Sequence, residues 1–362
     1  MKKHWGKSLI GLAVTVVALW WALRGEDLGK IWQQMRQGDM WLLTAAVAVA
    51  TAGFLIRAMR WKLLLAPVKA DTRLKTRFAA VAIGFMGNNV LPLRAGEFLR
   101  PYAFSRMEPV SVSAAFGSLV VERFLDSVVL ALLLVVPALT PGFPAAGLFS
   151  SDFGAMILRG TLVLVLVFLV ALVAMAVWPH GFVRLADRMA ARLLPRSLAR
   201  PMVDALTAFL DSVALLRSPR LLVLSLIWSL GLWLFQGLSY WLGMLAFGIH
   251  TGVISAWFTQ AVVAFGVAAP SAPGFVGTFH AAAKFALTDV YSVPPAKALA
   301  FAFGFWAGGW FPITIIGLFY AWRLGLSFGD VGGAEERVEA SIEHKHEEDP
   351  VPDARSMERG GR

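Results

Sequence analysis

Six long apolar runs alternate with polar stretches along this chain: Ser8–Leu23, Trp41–Ile56, Val110–Leu139, Leu158–Trp178, Leu221–Phe247 and Lys297–Tyr320. Each approaches or exceeds the roughly 20 residues that a helix needs to cross hydrocarbon, so the pattern predicts about six full crossings. Two further apolar segments are broken. Asn88–Arg100 reads NNVLPLRAGEFLR, and Ala269–His280 reads APSAPGFVGTFH. Pro and Gly release backbone groups that hydrocarbon cannot satisfy, so breaks at membrane depth need protein or a water-filled cavity around them. One such break in each half of a chain points to a substrate site in a transporter-like fold.

Composition agrees with an all-α polytopic membrane protein. Of the 362 residues 58% are hydrophobic and 15% charged, far from the usage of soluble domains. The run Ser8–Leu23 follows Met1-Lys2-Lys3 and lacks a clear cleavage site, which predicts a retained signal-anchor helix. There is no cysteine, so neither disulfides nor thiol chemistry enters. The formal charge of +10 comes mainly from Lys and Arg in loops beside apolar runs. That is the positive-inside pattern, and no nucleic-acid partner is expected.

Basic residues orient the chain. Arg57, Arg60, Lys62, Lys69, Arg73, Lys75 and Arg77 follow the second crossing, and Arg184 to Arg220 lies between the fourth and fifth. Thr140–Leu158 has no Lys or Arg. The basic loops are expected to be cytoplasmic, as are both termini, in a bacterial-type inner membrane. Phe78–Arg106 should then enter and leave on the cytoplasmic side, and Val253–Val293 on the external side. Both are expected to be re-entrant helical hairpins. Pro92 to Phe98 and Pro273 to Phe279 both fit P-x-x-x-G-x-F, which suggests an inverted repeat. The alternative is eight transmembrane helices.

Residues 1–324 would form the membrane domain. Within it, 181–220 carries Arg every fourth residue from Arg184 to Arg200 and a helical apolar stripe from Met202 to Val213, as expected of an amphipathic segment on an anionic phospholipid surface. Residues 325–362 read as a disordered polar tail, with His344 and His346 solvated. Gly304 and Gly308 predict a close helix-packing face, and Trp20, Trp21, Trp41 and Trp61 predict interfacial anchors.

Ionisable side chains at membrane depth usually face a cavity or one another. The first break offers Arg94, Glu97 and Arg100, with Asn88 and Asn89 as uncharged donors. The next crossing offers Glu122, Arg123 and Asp126, with the carboxylates four apart on one helical face. The second break brings His280 and Lys284. Arg is suited to phosphate or carboxylate oxygens, and broken-helix N-termini beside Pro92 and Pro273 favour an anion. These residues describe a pocket for an anionic head group between the two breaks. Arg94, Arg100, Arg123, Asn88, Asn89, His280 and Lys284 are the binding candidates. Glu97, Glu122 and Asp126 are candidates for proton coupling or for pocket ion pairs, and mutual neutralisation that only pins helices together is the alternative. There is no P-loop, no H-E-x-x-H and no G-x-S-x-G, and no cofactor or metal is expected.

GFMGNNVLPLRAGEFLRPY (Gly84–Tyr102), SLVVERFLD (Ser118–Asp126) and APSAPGFVGTF (Ala269–Phe279) together resemble the transmembrane domain of the lysylphosphatidylglycerol synthases, over about Gly11 to Leu324. By motif the matching positions are Arg94, Gly96, Glu97, Glu122, Arg123 and Asp126, then Pro273, Gly274 and Gly277. In the synthases this domain is thought to move aminoacylated lipid between leaflets, while a soluble domain attaches the amino acid. After Leu324 this sequence has only a short polar stretch, so the resemblance implies lipid translocation or binding, not aminoacyl transfer. Stand-alone members are associated with isoprenoid-linked glycans or hopanoids, so the lipid does not transfer with the resemblance. A flippase or scramblase is the leading expectation. Its rivals are a scaffold for lipid-biosynthetic enzymes, and an enzyme using Glu97 or His280 as base to transfer a group to a lipid.

Overall fold

The structure is a computed structural model that describes residues 2–140, 143–144, 167, 170, 188, 218–268 and 271–326. The crossing expected at Leu158–Trp178, the amphipathic segment up to Arg217 and the polar tail lie outside the described residues, apart from Val167, Val170, Arg188, Gly325 and Leu326. Among the described residues every regular element is helical.

The first half begins with α1 (Lys2–Leu23) and a short α2 (Leu28–Arg36). Asp27 caps α2 by accepting from the Gly29 and Lys30 N–H groups, and Asp39 caps α3 (Met40–Leu65) in the same way through Trp41 and Leu42. These side chains satisfy donors that a helix start leaves orphaned. α4 (Leu74–Val90), a 3-10 turn at Pro92–Arg94 and α5 (Gly96–Ser105) form the first helical hairpin. α6 (Val112–Ala138) follows, capped by Ser111.

The second half repeats the order. α7 (Pro219–Ala246) is followed by α8 (Val253–Gly266), a 3-10 turn at Pro273–Phe275, and α9 (Thr278–Lys284), which runs into a π-helical turn at Phe285–Val290. α10 (Pro295–Arg323) closes the described chain. Among the described helices, α3, α7 and α10 are long and apolar enough to cross a membrane. Gly11–Leu23 and α8 are shorter apolar helices. α6 has 27 residues and carries the Glu122, Arg123 and Asp126 charges inward.

Two large apolar clusters form the core, each centred on one half and completed by side chains of the other. One gathers Trp61, Phe104, Leu119 and Leu125, and the other gathers Met244, Phe279, Phe301 and Phe305. Val16, Ile227, Phe311, Ile315 and Leu318 remain exposed, as side chains facing acyl chains would. Gly304 and Gly308 behave as expected of a packing face. A Cβ on them would come within 2.4 Å of Phe247 and 2.6 Å of Val47.

The local geometry of the two breaks is shared. Arg94 and Phe275 hold equivalent places in the two P-x-x turns, and both take a positive φ, of 57° and 61°. A left-handed backbone at a residue other than Gly, Asn or Asp is strained, and it persists only where its surroundings dictate it. Here the two breaks pack on each other. The Arg94 guanidinium lies 5.6 Å from the Phe275 ring centroid. Gly274 sits so close to α10 that a Cβ would be 2.8 Å from the Trp310 indole nitrogen. Its carbonyl accepts from Trp306 Nε1 at 2.7 Å.

Candidate functional site

Of the helices expected to carry chemistry, α5 packs on α6 and also lies close against α4, because Gly84, Gly87 and Gly96 leave no bulk at that contact. Gly96 begins α5 against α4 at a distance where a Cβ would stand 1.8 Å from the Gly84 carbonyl oxygen. That approach brings Arg100, one turn on, over α6. Arg100 Nη1 and Nη2 donate to Glu122 Oε1 and Oε2 at 2.9 and 3.0 Å, a bidentate pair, and the guanidinium lies 4.0 Å from the Trp61 ring centroid. Cation–π stacking of a desolvated Arg contributes about 2 kcal/mol.

The cluster extends beyond the residues singled out from sequence. Arg57 and Arg60 are not loop residues: α3 continues without interruption to Leu65 and carries both inward. Arg57 Nη1 donates to Asp126 Oδ2 at 3.1 Å and Glu122 Oε1 at 3.3 Å. Arg60 pairs with both Asp126 oxygens and donates to Ser229 Oγ at 2.7 Å. Trp233 Nε1 donates to Asp126 Oδ1 at 3.0 Å. Arg60 and Glu122 are 0% exposed, and Arg100, Asp126 and Arg57 are 2%, 3% and 4%. At such burial a missing partner is expensive, so these ions fix the register of α3, α5, α6 and α7. Trp61, expected at an interface, is instead fully buried, with Nε1 donating to Ser118 Oγ at 2.9 Å. Trp20, Trp21 and Trp41 are exposed.

Arg123 joins this buried cluster to a pocket. Its Nε donates to Glu97 Oε2 at 3.2 Å, and its Nη atoms stand 3.8 Å from Glu122 and 3.9 Å from Asp126. The pocket has a volume of about 220 Å³ and is lined by Arg94, Glu97, Phe116, Leu119, Val120 and Arg123. One wall is charged and the other apolar, and Val120 is exposed at the rim. Asn88 Nδ2 donates to Glu97 Oε1 at 3.2 Å and so orients that carboxylate. Arg94 is loosely held: its nearest carboxylate contact is Glu97 at 3.8 Å, and its Nε is buried without a partner. Asn89 faces α10 instead, donating to Thr314 Oγ1 at 2.8 Å.

The second hairpin does not bring its charges to this pocket. Lys284 Nζ donates to Glu26 Oε1 at 2.7 Å and to the Ala22 carbonyl at 2.9 Å, which ties α9 to the end of α1. His280 is fully buried, with ring centroids 4.1 Å from Phe303 and 5.4 Å from Trp306, and its Nδ1 accepts from the Gly277 N–H at 3.4 Å. Gly277, at φ 84°, lets the chain pass over Thr15, where a Cβ would be 2.6 Å from a carbonyl oxygen. Thr15 Oγ1 accepts from Ala272 N–H at 2.9 Å. The second break therefore seats against α1, α10 and the first break, and contributes the Phe275 ring beside Arg94.

On the membrane-flanking side, Glu108 between α5 and α6 gathers Thr76, Lys69 and Arg73 at 2.7, 3.1 and 3.1 Å. Burial alone would raise its carboxyl, but the hydrogen bonds from Thr76, Arg73 and Lys69 outweigh that and hold the pKa down at about 2.

The family described as "Lysylphosphatidylglycerol synthase TM region" matches residues 8–317. Among curated proteins, Glycosyltransferase AglD of Haloferax volcanii is 27% identical over 121 residues, 33% of this chain and 19% of that protein. A UPF0104 membrane protein of Methanothermobacter thermautotrophicus is 26% identical over 127 residues, 34% of this chain and 37% of its own length. Another, from Methanocaldococcus jannaschii, is 33% identical over 76 residues, 20% of this chain and 23% of that protein. The matches thus span between about a fifth and two fifths of these relatives. No solved structure matches. The family match takes in both breaks and the Glu122–Asp126 helix, and the chain belongs to the family of the lysylphosphatidylglycerol synthase transmembrane region, as a multi-pass membrane protein.

Proposed function

We propose that this protein is a lipid transporter of flippase or scramblase type, which binds an anionic, phosphate-bearing head group in the pocket beside the first break. The observation that carries this is Arg94: a cation at a helix break, with a buried unpartnered Nε, facing a pocket whose opposite wall is apolar. An Arg fork suits phosphate oxygens, and Phe116, Leu119 and Val120 suit the acyl or isoprenoid chain behind them. Arg123 is the second head-group ligand. Arg100, Glu122 and Asp126 act from behind, by holding Arg123 and the helices in place. Glu97 sits between Arg94 and Arg123, and is the carboxylate placed to exchange a proton as the head group arrives.

The two hairpins dip in from opposite faces, cytoplasmic for α4–α5 and external for α8–α9, in an inner membrane with both termini cytoplasmic. In support, no arm of either hairpin exceeds 17 residues, short of a full crossing. Anionic lipid of the cytoplasmic leaflet and enzymes that make the transported lipid are the partners this function implies.

Reconstitution into liposomes containing a head-group-labelled fluorescent phospholipid tests the proposal. Wild type should equalise the label between leaflets, and Arg94→Asn should slow it about tenfold or more, the size of a lost charge-assisted contact. Asn is chosen because it tolerates the left-handed backbone at this position. Equal rates with and without wild-type protein, for every anionic lipid offered, would remove the transporter. The likeness to Glycosyltransferase AglD of Haloferax volcanii favours a second reading, group transfer, which predicts a product from a supplied activated donor instead.

A further inference from the structure

The charges around the pocket do not balance. Arg57, Arg60, Arg94, Arg100 and Arg123 face Glu97, Glu122 and Asp126, two positive charges in excess when the carboxylates are ionised. Among the described residues, no other ionisable side chain on the packed elements makes up the difference. α3, α4, α7 and α8 carry no Asp or Glu, α1 has no acidic or basic residue between Ser8 and Leu23, the second break has none before His280, and α10 has none between Lys297 and Arg323. His280 is walled off by Phe303 and Trp306, and Lys284 is paired with Glu26.

A net charge of this size at membrane depth is costly unless an anion supplies the missing charge. Three further features aim it at the pocket. Arg94 Nε is buried and unpartnered. Arg94 is held to Glu97 only at 3.8 Å. The positive end of the α5 dipole begins at Gly96, beside the same wall.

We infer that the pocket takes a dianionic phosphate, a phosphomonoester or terminal pyrophosphate group, in preference to the monoanionic phosphodiester of ordinary membrane phospholipids. This rests on the function proposed above and narrows its substrate class. A dianion neutralises the excess, with Arg94 and Arg123 each donating to it, whereas a diester leaves one positive charge without a counterion. The chemistry is shared by a lipid phosphomonoester and by free inorganic phosphate, and the apolar wall of Phe116, Leu119 and Val120 favours the lipid.

The full-length protein in neutral detergent is titrated with short-chain phosphatidic acid, phosphatidylglycerol, phosphatidylcholine and inorganic phosphate. Binding is read by native mass spectrometry at about pH 8 and about pH 5, on either side of the second phosphate ionisation at about pH 6. Phosphatidic acid should bind about tenfold or more tighter than phosphatidylglycerol at the higher pH. That preference should collapse at the lower pH, where phosphatidic acid is a monoanion. Phosphatidylglycerol at each pH controls for changes in the protein itself. Arg94→Asn should erase the preference and Arg94→Lys should keep most of it, with unchanged melting showing that both are folded. Equal binding of the two anionic lipids at both pH values would overturn the dianion while leaving an anionic-lipid transporter intact. Equal binding of phosphatidylcholine would overturn both. Inorganic phosphate binding as tightly as phosphatidic acid would keep the dianion and overturn its lipid source.

Discussion

Glu122→Gln removes a negative charge from a buried cluster that already has positive charge in excess. Glu122 is 0% exposed and accepts two hydrogen bonds from Arg100, at 2.9 and 3.0 Å, with Arg57 and Arg60 each at 3.3 Å. Breaking one side of a buried ion pair costs about 3–5 kcal/mol, because the remaining ions keep their desolvation penalty. At roughly 2 °C per kcal/mol for a chain of this size, the variant should melt about 6–10 °C lower. The assay is thermal melting in neutral detergent, followed by size-exclusion chromatography. The companion Glu122→Gln/Arg100→Met deletes the orphaned guanidinium while keeping an unbranched side chain against Trp61. It should recover at least half of the loss, since the buried guanidinium left without its carboxylate is then gone. A single variant that melts within about 1 °C of wild type would refute the reasoning. So would a double variant whose losses simply add, because coupling is the signature of a shared interaction.

Other consequences follow from the same geometry. Gly96→Ala forces a Cβ to 1.8 Å from the Gly84 oxygen and should open the first hairpin, at a cost of about 1–3 kcal/mol or more. Gly309→Ala, with nothing within 4 Å, should leave melting unchanged, and equal effects of the two would contradict the packing. Glu108 titrates at about 2 in the folded protein against an ordinary 4.5, so its stabilisation is present above pH 4.5 and lost as pH falls through about 2. Glu108→Gln should therefore flatten the acid limb of a melting-versus-pH curve, and an unaltered slope would exclude its role. The chain has no cysteine, so single cysteines report topology directly. Replacements at exposed Leu74 and Arg106 should react with an impermeant maleimide from one face, and those at exposed Ile254 and Ser292 from the other. Labelling of Leu74 and Arg106 from opposite faces would contradict the re-entrant hairpin, whereas a cysteine at Asn89 in the tip that reacts only from the face opposite to Leu74 would replace it with two crossings.

The breaks are legible in the sequence because Pro92 and Pro273 lack the N–H a continuing helix would use, and Gly96, Gly274 and Gly277 crowd weak helix formers beside them. Glu122 and Asp126 are legible for a similar reason, as charges at helical spacing inside an apolar run. Arg57 and Arg60 are not read correctly, since loop arginines and buried arginines look alike in composition. The available signal is the run after them: Leu63, Leu64 and Leu65 resume the apolar pattern, and no Pro or Gly intervenes. His280 and Lys284 have the chemistry of ligands, but their neighbours decide otherwise. Glu26 lies 258 positions before Lys284, and Phe303 and Trp306 belong to α10, contacts that no local pattern encodes. The positive φ at both Arg94 and Phe275 is likewise a product of packing between the breaks. The P-x-x-x-G-x-F match marks the places without showing the strain.

The most direct test is native mass spectrometry of the purified protein for retained lipid, comparing wild type with Arg94→Asn and with Arg94→Asn/Glu97→Gln. A defined phosphate-bearing lipid held by wild type, and lost from both variants while they remain folded, is the predicted result. Identical lipid profiles across the three proteins would contradict a head-group site in this pocket.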